Sequence, residues 1–233
     1  MGKALHVRYI PMLDYEEAWE LQKATVAKID QEEQQDTLLL LQHPPTFTMG
    51  SQRHPEHLLL SREELAERGI SLYEIDRGGD ITYHGPGQLV GYPLLKLEGG
   101  AALDLHGYLR SLEQVIINYL GNYGLHGDRK PGYTGVWVGD VKICAIGVKF
   151  NKSKRRRGFI TSHGFAFNIK SGIQQEGFEG MIVPCGITEY GVTSLEDCTG
   201  REFTVAQVAN ELIPYFQEIF EYDLSEAPSS EAR

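Results

Sequence analysis

Nowhere do the 233 residues approach the ~20 consecutive apolar positions that a membrane helix needs. The opening MGKALHVRYI carries no apolar h-region and has His at position 6, so neither a signal peptide nor N-myristoylation is expected. Cysteine is scarce. Cys144, Cys185 and Cys198 are odd in number, widely spaced and form no CxxC pair, which excludes a disulfide framework and fits a reducing, cytoplasmic setting. Positive charge is also in short supply, with 22 Lys and Arg against 32 Asp and Glu for a net charge of -10. That balance removes the broad basic surface on which nucleic-acid binding draws. There is no GK[ST] Walker signature and no GxGxxG opening a helix. His54 and His57 lie three apart without the further ligands a closed metal site needs, so no metal is expected.

What remains is a soluble-type composition long enough for one ample domain, expected over about 1–224, with SEAPSSEAR (225–233) as a frayed tail. Asp14 and Glu17 stand in a capping-box relation, and Ala18, Leu21, Thr25 and Ile29 follow at helical spacing. TLLLLQ at 37–42 is apolar throughout its middle and predicts a strand buried on both faces, with TFTMG as the next strand. Ser61 and Glu64 predict a second capped helix stopped at Gly69, with ISLYEID as a strand after it. QLVGYPLL is a further strand, in which Pro93 should sit near the end or on an edge. A helix over about 103–120 carries Leu105, Leu109, Leu112, Ile116 and Tyr119 on one stripe. Gly139-Asp140 splits VWVGDVKICAIGVKF into a hairpin, FITSHGFAFNI is the next strand, and a last helix spans about 204–221 with Pro214 inside it. Strands outnumber helices and several pairs are hairpins; the expected class is a single α+β domain.

The densest chemical signal is RGGDITYHGPGQ at 77–88, four glycines interleaved with Arg77, Asp80, Thr82, Tyr83, His84 and Gln88. Glycine lets main chain run close to another group and frees N–H donors, so either a ligand approaches here or the segment is a tight turn with a bulge. Cys185, between Pro184 and Gly186, sits in a restrained turn that suits a nucleophile, against the alternative of an inert buried thiol. Cys144 and Cys198 read as inert. Alternation in DVKICAIGV puts Lys142, Cys144 and Ile146 on one face and Val141, Ile143 and Ala145 on the other. Lys142 is then either a charge guarding an edge strand or an ammonium that lowers the pKa of a thiol. His84 and His163 are candidate donors or bases, or structural hydrogen-bonding groups. KFNKSKRRR at 149–157 holds six basic residues and no acidic one; it is a solvated hairpin loop or a docking patch for an acidic protein.

RGGDITYHGPGQLVGYPLL, GYTGVWVGDVKICAIGV, SHGFAFNI and VPCGI, in this order, resemble the LipB-type octanoyltransferases, also called lipoate-protein ligase B, over about residues 5–222. The resemblance implies the fold of the biotin and lipoate protein ligase catalytic domains, a mixed, largely antiparallel sheet flanked by helices. It implies transfer of an octanoyl group from octanoyl-acyl carrier protein to a lysine of lipoyl domains. The acceptors would be the E2 subunits of 2-oxoacid dehydrogenases and the glycine cleavage H protein, with no cofactor. On the matching positions, Cys185 is the acyl-thioester nucleophile and Lys142 the lysine that lowers its pKa. The substrate-binding positions are Arg77, Gly78, Gly79, Asp80, Ile81, Thr82, Tyr83 and His84, then Ala145, Ile146 and Gly147, then Gly164, Phe165 and Ala166. The basic segment at 149–157 departs from shorter relatives in loop length. Two rivals remain: an ATP-dependent lipoate or biotin ligase on the same fold, and a catalytically silent acyl-sensing scaffold.

Overall fold

A computed structural model describes residues 3–98, 104–155, 157–183 and 190–223. The expected tail at 225–233 lies outside these residues. The strand β2 (Thr37–Leu41) shows why five successive residues are buried: Leu38 and Leu40 enter one core while Leu39 and Leu41 enter another on the opposite face. It pairs in parallel with β1 (His6–Ile10) and antiparallel with β6 (Gln88–Leu94). Beyond β6 the sheet continues through β11 (Gly158–Asn168), β10 (Val141–Lys152), β9 (Tyr133–Val138) and β8 (Gly127–Lys130). The short β7 (Lys96–Glu98) joins β11, and β12 (Gly191–Val192) joins β10, giving nine strands among the described residues. The sheet is mixed and largely antiparallel, as expected.

Helix α1 (Tyr15–Gln31) covers one face through Ala18 and Ile29. Asp14 caps it by accepting the Glu16 N–H at 3.0 Å, so the expected reciprocal box with Glu17 gives way to a simple cap. Helices α3 (Leu105–Gly121) and α6 (Val205–Ile219) cover the other face; the buried stripe of α3 is Tyr108, Leu112, Val115, Ile116 and Tyr119, and Leu105 and Leu109 lie at its margin. Glu113 of α3 is fully buried and accepts hydrogen bonds from Arg110 (2.6 Å), Arg129 (2.8 Å) and the Gly135 N–H of β9 (3.1 Å).

A second sheet, β4 (Ser71–Glu74), β3 (Thr46–Met49) and β5 (Ile81–His84), stacks its apolar side chains against α2 (Arg62–Glu67) and the segment around α4 (Ile173–Gly177). The Ser61–Glu64 capping box forms. Pro93 lies in an interior strand opposite Leu38, near the end of β6. Its missing N–H is tolerated because the β6–β11 ladder runs only from Gln88 to Gly91, beyond which Thr161 Oγ1 donates to the Pro93 carbonyl at 2.6 Å. The basic segment forms the tip of the β10–β11 hairpin, where Asp30 of α1 accepts the Ser153 hydroxyl (2.6 Å) and the Lys154 N–H (3.2 Å). Among the described residues no helix is long and apolar enough to cross a membrane.

Where β11 crosses β6, a Cβ on Gly164 would lie 2.0 Å from the Gly91 carbonyl oxygen and 2.6 Å from Pro93 Cδ. Neither backbone atom nor ring can yield. Gly164→Ala should therefore lose about 2–3 kcal/mol of stability by overpacking; an unchanged urea midpoint would show that the two strands are free to part.

Candidate functional site

The glycine-rich turn between β4 and β5 packs on β10 because the Gly78 N–H donates to the Val148 carbonyl at 2.9 Å. A Cβ on Gly147 would lie 2.8 Å from the Gly78 carbonyl, and one on Gly50 would lie 2.2 Å from that of Gly79. At these positions the close approach is chain to chain. The turn drives Arg77 inward, where its guanidinium donates to the Thr48 carbonyl (2.7 Å), the Thr48 hydroxyl (2.9 Å) and the Gly78 carbonyl (3.0 Å). Both oxygens of Asp80 are engaged, one by the His54 N–H at 2.9 Å and the other by His57 Nδ1.

Lys142 is 9% exposed and interior, with β9 and β12 on its flanks. The edge-strand alternative is thereby excluded. A bulge between Lys142 and Cys144, where two residues of β10 oppose one step from Trp137 to Val136, breaks the expected alternation. Lys142 therefore faces the cleft with Ala145, while Ile143 and Cys144 are both fully buried in the core. Burial pushes the Cys144 thiol well above its ordinary pKa. No carboxylate among the described residues pairs with Lys142; its ammonium stands 4.8 Å from the centroid of the Trp137 ring.

The cleft has two chambers that share Thr82, Lys142, Ala145 and Ala166. One is apolar, walled by Ile81, Tyr83, Trp137, Phe178, Ile182 and Val192. The other is lined by Arg77, Gly78, Gly79, Asp80, His84, Ile146, Gly147, Gly164 and Phe165, with Tyr15, Tyr92 and His163. Every expected substrate position thus borders one chamber or the other. Cys185 lies outside the described residues; Ile182 before it and Tyr190 after it both line the apolar chamber with Lys142. Among the described residues no group of His, Cys, Asp and Glu could hold a metal ion.

Burial lowers the proton affinity of the imidazoles in and around the second chamber. His84, held by Gln88 (3.0 Å) and Thr48 (3.3 Å), is pushed well below the usual imidazole range by burial, then by the charges of His43 and Arg77. His43, bonded to the Leu13 carbonyl (2.7 Å) and the Tyr92 hydroxyl (2.8 Å), is lowered by burial to about 4. His163 adopts φ +56° within β11, its N–H donating to Gln22 Oε1 at 2.8 Å and its Nε2 bonding Asp76 Oδ1 at 2.9 Å. Burial lowers the pKa of His163, and that hydrogen bond, with Lys149 beside it, holds the Asp76 carboxyl below the usual range. Tyr15, Tyr92 and Trp137 were not singled out from the sequence. Only Tyr15, the first residue of a capped helix, had a local signal.

A family model described as the lipoyl protein ligase A/B catalytic domain matches residues 14–217. An octanoyltransferase of Rubrobacter xylanophilus is 50% identical over 218 residues, covering 93% of this chain and 94% of that protein. Among solved structures, lipoate-protein ligase A bound with ATP superposes with a TM-score of 0.72 at 17% identity, covering 99% of this chain and 90% of that one. Protein Ta0514 of T. acidophilum, a lipoate protein ligase in name, with bound lipoic acid, gives 0.70 at 17% identity, covering 99% and 91%. At such identities the structures speak for a shared fold.

The three lowered imidazoles carry a pH signature. Each takes up a proton less readily when folded than in the unfolded chain, where its ordinary value is 6.5. Between that value and the folded one the unfolded chain holds more protons, so stability falls with falling pH by up to about 1.4 kcal/mol per unit for each histidine. Urea unfolding should show this decline from pH 7 to pH 5, shallower by about one proton in His43→Gln. Equal slopes for the two proteins would remove His43 from the account.

Proposed function

The chain belongs to the lipoyl protein ligase A/B catalytic-domain family, and we propose that it moves an octanoyl group from octanoyl-acyl carrier protein onto a lysine of a lipoyl domain through a thioester on Cys185. It is an acyltransferase, an octanoyltransferase acting in protein lipoylation. The observation that carries the mechanistic reading is the buried Lys142 ammonium, without a carboxylate partner among the described residues, at the junction of two chambers whose walls flank the segment bearing Cys185. An ammonium there favours a nearby thiolate by direct attraction.

In the first step the Cys185 thiolate attacks the donor's thioester carbonyl, a new thioester forms on Cys185 and the carrier leaves as its thiolate. In the second, the acceptor lysine amine attacks the acyl-enzyme, an amide forms, the amine proton passes to a base and the Cys185 sulfur is released. Lys142, once deprotonated by exchange, is the base this reading assigns. One thioester replaces another in the first step and an amide replaces a thioester in the second, so no ATP and no cofactor is needed. The apolar wall accommodates the eight-carbon chain at ~0.8 kcal/mol per buried methylene. Cys144 is a poor competitor because it is sealed in the core with its thiol pKa raised. The E2 lipoyl domains and the glycine cleavage H protein are the acceptors this reading implies, in the cytoplasm, and the octanoyl product is the first intermediate of lipoylation made within the cell.

Cys185→Ala should abolish both a covalent octanoyl adduct, seen by intact mass, and transfer, whereas Cys144→Ala should retain both. Transfer retained by Cys185→Ala sinks the covalent path, and a requirement for added ATP would favour the ligase rival. Lys142→Ala should slow alkylation of Cys185 at neutral pH by at least tenfold; an unchanged rate would dismiss Lys142 as the activating cation.

The hairpin tip supports a docking role for the donor. Lys152, Lys154, Arg155 and Arg157 are exposed on a turn pinned to Asp30. Asp30 stands fifteen residues after Tyr15 along α1, or roughly 22 Å from the cleft at ~1.5 Å per residue. A small acidic carrier, ~30 Å across, spans that gap. Charge reversal in Arg155→Glu/Arg157→Glu should weaken carrier binding at low salt and matter less at high salt; equal affinities at low salt would leave the hairpin a solvated loop.

A further inference from the structure

The Asp80 carboxylate is 8% exposed and does not stand free in the cleft, since both of its oxygens are taken by the segment after β3. Its second partner, His57, belongs to a short helical turn, Pro55–His57, whose following residues run against the chain just before Cys185. The Val183 N–H donates to the His57 carbonyl at 2.8 Å, Leu58 bridges Ile182, and the Leu59 N–H donates to the Met181 carbonyl at 2.9 Å. A continuous set of bonds thus leads from the glycine-rich turn, through the Asp80 side chain and the His57 ring and backbone, to residue 183. Only Pro184 separates Val183 from Cys185.

We infer that Asp80 is a positioning residue: through His57 it holds 181–183 against the glycine-rich turn and thereby fixes where the chain leading to Cys185 leaves the wall of the chamber that Ile182 shares with Lys142. The inference rests on the reading of Cys185 as the nucleophile, and it assigns Asp80 a different task from binding substrate. His57 acts as a strut. Its Nδ1–H is held by the carboxylate while its carbonyl takes the Val183 N–H, so the orientation of the ring and the register of 57–59 against 181–183 are set together.

The test compares Asp80→Ala, His57→Ala and His57→Asn in the full chain; asparagine offers its side-chain N–H close to the position of Nδ1. Acylation of Cys185 is followed by intact mass over a range of octanoyl-acyl carrier protein concentrations, and amide hydrogen exchange is read at Leu59 and Val183. Asp80→Ala and His57→Ala should each lower the limiting acylation rate at least tenfold with the half-saturating donor concentration within twofold of the parent. The double variant should be no slower than either single one. Exchange at Leu59 and Val183 should quicken at least tenfold while β10 and β11 stay protected, and His57→Asn should return both readouts to within threefold. Asp80→Asn replaces Asp80→Ala if the latter fails to fold. A half-saturating concentration raised tenfold at an unchanged limiting rate would make Asp80 a substrate ligand and overturn the inference, as would unchanged exchange at Leu59 and Val183. Hydrogen exchange is blind to which residue carries the acyl group. Transfer retained by Cys185→Ala would therefore sink the mechanism while leaving the strut standing, and unaltered exchange would do the reverse.

Discussion

An ammonium buried in the interior of a sheet, with no carboxylate beside it among the described residues, is a costly feature, and the arrangement around Lys142 follows from it. Removing a charge from water is penalised unless other groups replace the lost solvation. Here the replacement is the face of Trp137 and the opening of the cleft. A paired carboxylate would have satisfied the charge and, in doing so, cancelled its field in the cleft. The ring satisfies it only partly, which leaves the positive potential directed into the chambers.

Local backbone detail is what brings Lys142 to that position. Without the bulge, alternation would put Lys142 and Cys144 on one face; with it, Cys144 enters the core and Lys142 shares the cleft with Ala145. The bulge needs room on β9, and Gly135 supplies it: φ is +131° and a Cβ there would lie 2.5 Å from the Cys144 carbonyl. Glu113 then pins Gly135 from the opposite layer through its N–H. A fully buried carboxylate on α3 thus reaches the cleft by bracing the strand beside Lys142.

Much of this was legible in the sequence wherever the cause is local. The 37–42 run, apolar through its middle, the Gly139-Asp140 hairpin and the Ser61–Glu64 box each rest on neighbours within a few residues, and each forms. The glycine-rich motif was legible as a place of close approach, but at Gly50 and Gly147 the approaching groups are the carbonyls of Gly79 and Gly78, a distinction that no local pattern carries. Pairings across 23 to 141 residues, such as Asp80 with His57 or the His163 N–H with Gln22, could not be read from spacing at all. The bulge was missed for a different reason: one extra residue in a strand leaves the composition unchanged and inverts every facing after it.

A fold shared at 17% identity fixes the scaffold and not the chemistry carried on it. A cation at the meeting of two chambers serves any acyl transfer in which negative charge gathers near the carbonyl, whether the leaving group is a phosphate or a thiolate. What discriminates is which nucleophile is delivered beside it and how firmly. In this chain 181–183 is braced on 57–59, and that segment is fastened by Asp80 to the turn that also packs on β10, the strand of Lys142. The strand of Lys142 and residues 181–183 are therefore both fastened to the same glycine-rich turn.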